Sequence, residues 1–171
     1  IGRLDPEAIT RVRAEAWPEA ANADELHDAL VWLGFLSAEE ADKQAGWNDW
    51  LAALAHDKRV AQLAAPKGAL WISAERLPQF LALWPQASLK PAIAAPAEYG
   101  VRAWSSAEGL VEILRGRLEG LGPVTEEALA APLGLSTGDV AIAMAGLQVE
   151  GFAMRGRFTP GATEVEWCDR R

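Results

Sequence analysis

Gly122-Pro123-Val124-Thr125-Glu126-Glu127-Ala128-Leu129-Ala130-Ala131-Pro132-Leu133-Gly134-Leu135-Ser136-Thr137-Gly138-Asp139-Val140 is the stretch whose reading decides the fold. Gly122-Pro123 stops the helix before it, since proline has no N–H to give. Thr125 offers an N-cap oxygen to a short helix whose apolar side includes Leu129 and Leu133. Gly134 supplies the permissive backbone that a helix C-terminus favours. Ser136, with Asp139 three positions on, caps a further helix carrying Val140, Met144 and Leu147 on one face, and Gly151 ends it. Working outward, Ser105 with Glu108 forms a capping-box signature, followed by Leu110, Leu114, Leu118 and Leu121 at helical spacing. On the other side Phe152 to Phe158 reads as a strand and Thr159 to Thr163 as a turn. Val165 and Trp167 then share one face of a returning strand. Helix, short helix, turn, third helix and hairpin is the order of a winged helix.

That order suggests nucleic-acid binding, because a third helix can enter a major groove while the hairpin reaches backbone or minor groove. Charge shifts the expectation. Between Thr137 and Glu150 there is no Lys or Arg, while Asp139 and Glu150 are acidic, so this helix approaches phosphate at an electrostatic cost. In the hairpin, Arg155 and Arg157 alternate with Met154 and Phe158, and Arg170 and Arg171 follow. The wing, rather than the helix, is the expected contact. Packing of the unit against other domains is the alternative.

The first half repeats the theme. Asp5-Pro6 starts a helix with Ile9, Val12 and Ala16 on its apolar side, and Pro18 ends the segment. Asn22 with Glu25 starts a second, with Leu26, Leu30 and Leu33 inward. Ser37 to Glu40 begins another helical stretch, interrupted near Gly46 and resumed from Trp47 to Lys58. Val60–Ala64 and Ala69–Ser73 flank Ala65-Pro66-Lys67-Gly68 as a hairpin with Lys67 at its tip, and Glu75–Trp84 closes the unit as a helix. The repetition is one of architecture, without a residue-level repeat. The expected class is α+β, mainly helical, with tandem winged-helix units: residues 1–86, a Pro/Ala-rich linker at 87–104, and residues 105–171. The linker is not polar enough to be a free spacer, and Leu89, Ile93 and Tyr99 are placed to lie along a neighbouring surface.

Lys+Arg 16 against Asp+Glu 24 gives a net charge of −8, so any nucleic-acid surface must be a local patch on an acidic body. Lys58 and Arg59 at a helix end, with Lys67 on the adjacent hairpin, are the first unit's candidate phosphate contacts. Cys168 is the only cysteine, which excludes a disulfide framework and a cysteine-based zinc site. No apolar run reaches the length of a membrane span and no signal-peptide pattern opens the chain, so a cytoplasmic protein is the default. Starting at Ile1 and stopping just after a strand, the sequence reads as a fragment of something larger. Eight tryptophans serve either as stacking platforms for bases or as packing. Trp47, Trp50, Leu51 and Leu54 make a helical stripe, which favours packing.

Catalytic chemistry finds little support. Only His27 and His56 are available as bases, and no serine or cysteine is placed by sequence to complete a nucleophilic site. His27 reads as a helix-surface residue and Cys168 as a small buried one. No catalytic residue, metal ligand or cofactor site is assigned.

Asp24-Glu25-Leu26-His27-Asp28-Ala29-Leu30, Ala69-Leu70-Trp71-Ile72-Ser73-Ala74-Glu75-Arg76-Leu77-Pro78, and Arg155-Gly156-Arg157-Phe158 with Glu166-Trp167-Cys168-Asp169-Arg170-Arg171 resemble the C-terminal region of the bacterial Lhr (large helicase-related) proteins. The resemblance covers nearly the whole chain. Members carry an ATP-dependent helicase core followed, in the long bacterial forms, by winged-helix domains and a β-barrel module. That array resembles winged-helix DNA glycosylases acting on alkylated or crosslinked bases. The resemblance implies a non-catalytic winged-helix module of a DNA-repair helicase. It implies DNA, single-stranded or duplex, and other domains of the same helicase as partners, and it allows a homo-oligomer but no membrane. ATP and Mg are expected only for the parent core, since this chain has no Gly-x-x-x-x-Gly-Lys-Ser/Thr loop. Of the strings nearest a glycosylase motif, Gln62-Leu63-Ala64 and Gln79-Phe80-Leu81 lack the final polar group. Gln148-Val149-Glu150 reads as a solvated helix end. The alternative to DNA contact is a scaffold or oligomerisation module that positions the helicase core.

Overall fold

A computed structural model describes residues 5–170 and gives an α+β chain, mainly helical, with two small antiparallel sheets. Helix α1 (Pro6–Ala16) precedes a first repeat of α2 (Ala23–Leu33), β1 (Leu36–Ser37), α3 (Ala38–Asp42), α4 (Trp47–His56), β2 (Val60–Ala65) and β3 (Gly68–Ser73). A 3-10 turn, α5 (Leu77–Leu83), β4 (Leu89–Lys90) and α6 (Ala97–Gly100) lead to the second repeat. That repeat contains α7 (Ser106–Leu121), β5 (Val124–Thr125), α8 (Glu126–Ala130), α9 (Thr137–Val149), β6 (Ala153–Gly156) and β7 (Glu166–Asp169). No single helix among the described residues is long and apolar enough to cross a membrane.

The helix starts follow from local chemistry. Ser37 and Ser105 close capping boxes with Glu40 and Glu108, and the side chains of Asn22, Thr125 and Ser136 each accept a first-turn N–H. Each such cap stabilises its helix by about 1 kcal/mol. Two local expectations fail. Strand β6 stops at Gly156, and Val165 stays 40% exposed just before β7. The cause is Glu166, whose carboxylate accepts the N–H groups of Phe158 and Thr159 and draws the chain out of the ladder. Val12 is 43% exposed while Ile9 is buried, because α1 packs through Ile9 against Phe158 and Cys168 and is fixed there by Arg13.

The two repeats correspond in the order of three strands and in the backbone bonds at their corners. Their sheets run β1-β3-β2 and β5-β7-β6, so in each the hairpin's second strand lies in the middle, against the short strand after the first helix. Trp71 pairs with Leu36 in one sheet and Trp167 with Val124 in the other. At the helix-to-hairpin corners, Arg59 N–H donates to Leu54 O and Phe152 N–H to Leu147 O. Lys58 and Gly151 hold the same positive-φ position there. Beyond them, Ala74 N–H donates to Arg59 O and Arg170 N–H to Phe152 O.

One core joins the repeats. Phe35, Leu63, Leu70, Ile72, Leu77 and Phe80 from the first side cluster with Leu110, Ile113, Leu114 and Leu118 of α7. Each such side chain contributes about 1.5–3 kcal/mol when fully buried. Close approach depends on glycines along α7. A Cβ at Gly109 would sit 2.8 Å from Gln79 O, one at Gly116 would strike Trp32 O, and one at Gly120 would strike Leu33 Cδ1. Arginines reach across in both directions. Arg117, 3% exposed, donates to Phe35 O (3.0 Å) and to both carboxylate oxygens of Glu40 (3.2 and 2.7 Å). Arg76 donates to Val31 O and Trp32 O at the end of α2 and to Glu112 O on α7. The segment expected as linker takes part as well: β4 joins the first sheet outside β2, and Leu89 and Ile93 pack against the shared core. Tyr99 is 44% exposed.

Candidate nucleic-acid interface

Cations are the groups to follow, because the body is acidic. Most arginines are engaged in holding the fold. Besides Arg76 and Arg117, Arg13 binds Pro123 O, Thr159 Oγ1 and Glu166, and Arg102 lies 3.6 Å from the Trp104 ring and pairs with Glu108. Arg115 pairs with Glu112 and Glu150. Those hydrogen bonds raise the Arg115 pKa and hold the Glu150 carboxyl below its ordinary value. Gln148, Val149 and Glu150 lie exposed at the end of α9, as a solvated helix end should.

The first repeat's three candidates are differently placed. Arg59 donates to Asp24 (2.7 Å) and to Nδ1 of His27 (3.1 Å). Lys58 is exposed on the positive-φ corner (φ 60°). Lys67, also exposed, lies at the hairpin tip against the second repeat, where a Cβ at Gly134 would meet Lys67 Cγ and Pro66 Cβ at 3.0 Å. His27 corrects the surface reading: it is 7% exposed, accepts from Arg59 at Nδ1 and, as the matching tautomer, donates from Nε2 to Glu75 (3.2 Å). Its helix face turns toward β3 because Leu26 and Leu30 beside it are core residues.

The second hairpin carries Arg155, Arg157 and Arg170, all exposed and without an ion pair to any described residue. The Arg155 guanidinium stands 5.8 Å from the Trp167 ring centroid, within cation–π range. Trp167 is itself 1% exposed and donates from Nε1 to Glu126 (3.0 Å). Arg171 lies outside the described residues. The hairpin's base is fixed by Glu166, 5% exposed, which accepts from Phe158 N, Thr159 N, Thr159 Oγ1 (2.7 Å) and Arg13. Burial alone would raise the Glu166 pKa, but the Thr159 and Phe158 hydrogen bonds and the Arg13 charge outweigh it and hold the carboxyl below its ordinary value. Cys168 is buried, as read from the sequence, and its thiol is pushed up to about 11 by burial and by Asp169 and Glu166.

Helix α9 turns a different chemistry outward. Val140, Ala143, Met144 and Leu147 face the core, while Ile142 (74%) and Val149 (89%) are exposed beside Gly138, Ala145 and Gly146. A groove of about 410 Å³, lined by Leu83, Leu110, Val111, Leu135 and Ile142 among others, runs alongside. Each tryptophan is at least half-buried. Trp17 stacks on Trp47 (centroids 6.5 Å), Trp84 packs on Phe80, and Trp32, Trp50 and Trp71 are half-buried around the first core.

The glycines of α7 and the cross-repeat arginines are what the sequence reading missed. Three glycines at positions 109, 116 and 120 of a helix, seven and four residues apart, signal close helix approach, and that signal was legible. The partners of Arg76 and Arg117 were not, because they lie 36 to 82 residues away. Compared with known proteins, the chain matches no family model and no curated protein by sequence.

Proposed function

We propose that the chain is a tandem winged-helix module of a DNA-repair helicase that contacts DNA phosphates through the second hairpin. One observation carries this reading: Arg155, Arg157 and Arg170 are exposed on one hairpin with no ion pair among the described residues, whereas the other described arginines mostly bind carboxylates or carbonyls. The element order of each repeat, a helix, a short strand, further helices and a hairpin, supports the winged-helix part of this reading. Phosphate contact of this kind is independent of base sequence, and it weakens with salt because releasing counterions gains less as the bulk concentration rises. Helix α9 has no cation to offer a major groove and plays no part in it.

A second reading, a scaffold that positions the helicase core and other domains, is favoured by Ile142 and Val149 on the outer face of α9. The discriminating experiment is binding of this chain to labelled single-stranded and duplex DNA at low and moderate salt, with Arg155→Ala/Arg157→Ala alongside. Salt-sensitive binding that weakens in the double variant is expected. Absence of binding at low salt would leave the scaffold reading.

A further inference from the structure

The repeats differ at one sheet edge. In the first, β2 is covered on its outer side by β4: Gln62 pairs with Lys90, Leu63 with Leu89, and Ala64 N–H donates to Ser88 O at 3.0 Å. In the second, β6 pairs with β7 alone among the described residues. The matching corners, Arg59 with Phe152 and Val60 with Ala153, make Arg155 the counterpart of Gln62, Gly156 of Leu63 and Arg157 of Ala64. Antiparallel ladders alternate their bonds between the two sides. Phe152 O accepts from Arg170 N–H on the β7 side, so the N–H and C=O of Arg155 and the N–H of Arg157 turn outward. Both residues are exposed, and no backbone bond among the described residues takes these groups.

We propose that this edge docks an extended acidic segment of a partner protein, added antiparallel to β6 in the register that β4 holds on β2. The first repeat shows the geometry is accessible to this fold. Charge then selects the occupant. Opposite Arg155 and Arg157 an incoming strand places its residues equivalent to Lys90 and Ser88, and acidic side chains there are favoured. The residue between them, equivalent to Leu89, falls opposite Gly156, where the Phe158 ring lies 3.0 Å from the site of a missing Cβ and offers an apolar surface. The preferred pattern is acidic, apolar, acidic. A second copy of β6 is disfavoured, because antiparallel pairing would bring the same arginines face to face. The inference stands on ladder geometry and is independent of phosphate contact by the same side chains.

The test uses the whole chain without nucleic acid and a fluorescein-labelled, end-capped peptide Thr-Glu-Leu-Glu-Thr, read by anisotropy and by amide hydrogen exchange. Saturable binding is expected, at least about tenfold tighter than for the peptide with Lys in place of both Glu or with the second Glu, the one opposite Arg155, N-methylated. Exchange at the Arg155 and Arg157 amides slows when the peptide binds. Arg155→Glu/Arg157→Glu reverses the preference toward the Lys peptide. Equal binding of the peptide N-methylated at its second Glu, protection elsewhere, or no saturable binding at millimolar peptide would overturn the proposal. The last result would identify the arginines as charges that keep a bare edge unpaired.

Discussion

In the first repeat the hairpin β2–β3 has β1 on one edge and β4 on the other, and its tip at Lys67 rests beside Gly134. The outward-facing residues Leu63, Leu70 and Ile72 are buried in the shared core. In the second repeat the hairpin β6–β7 has one edge that no described strand covers, spans a longer loop between Gly156 and Glu166, and carries three exposed arginines. The same element order thus serves once as internal structure and once as surface. What separates the two is what the chain packs on each sheet. The linker strand and α7 cover the first, whereas the second receives only α1 on the face that carries Cys168.

The comparison breaks most easily at the joint. Arg117→Met leaves Glu40 facing a buried apolar group and removes the bond to Phe35 O, and should cost about 3–5 kcal/mol in chemical denaturation. A loss under 1 kcal/mol would mean that the repeats are stable independently. Next is Gly116→Ala, where the new Cβ meets backbone, Trp32 O, that cannot yield without separating α7 from α2. A loss of about 1–3 kcal/mol is expected. Gly146→Ala on the exposed side of α9 meets nothing within 4 Å and should instead stabilise by about 0.5–1 kcal/mol.

A smaller effect sharpens the difference between the hairpins. The folded Glu166 carboxyl lies below its ordinary value. Its contribution is therefore complete above the unfolded pKa and is lost as pH falls through the folded one. Acid should loosen the second hairpin before the first, seen as faster amide exchange at Phe158 and Thr159. Glu166→Gln should show that loosening already at neutral pH, at a cost of about 2 kcal/mol, with a flatter acid limb. An unchanged acid limb in the variant would remove Glu166 from this role.

Local structure was legible in the sequence because caps and breakers act within a few residues. Ser105 with Glu108, Ser37 with Glu40, and Gly134 and Gly151 hold the positions their chemistry implies. The hairpin ends were less so, since Glu166 acts across the loop on Phe158 and Thr159. Tertiary choices were illegible for the same reason. Arg59 reads from sequence as an exposed cation, and only the fold brings it to Asp24 and His27. Arg155 and Arg157 stand out by alternation with Met154 and Phe158, yet only the fold shows that they have no ion pair among the described residues.

The most direct test sets the two hairpins against each other in duplex DNA binding across a salt series. Arg155→Ala/Arg157→Ala/Arg170→Ala should lower the slope of log affinity against log salt by about 2–3, with stability changed by less than about 0.5 kcal/mol, while Lys58→Ala/Lys67→Ala should leave the slope nearly unchanged. Equal losses in the two variants, or a wild-type chain that does not bind at low salt, would contradict the division of roles between the repeats.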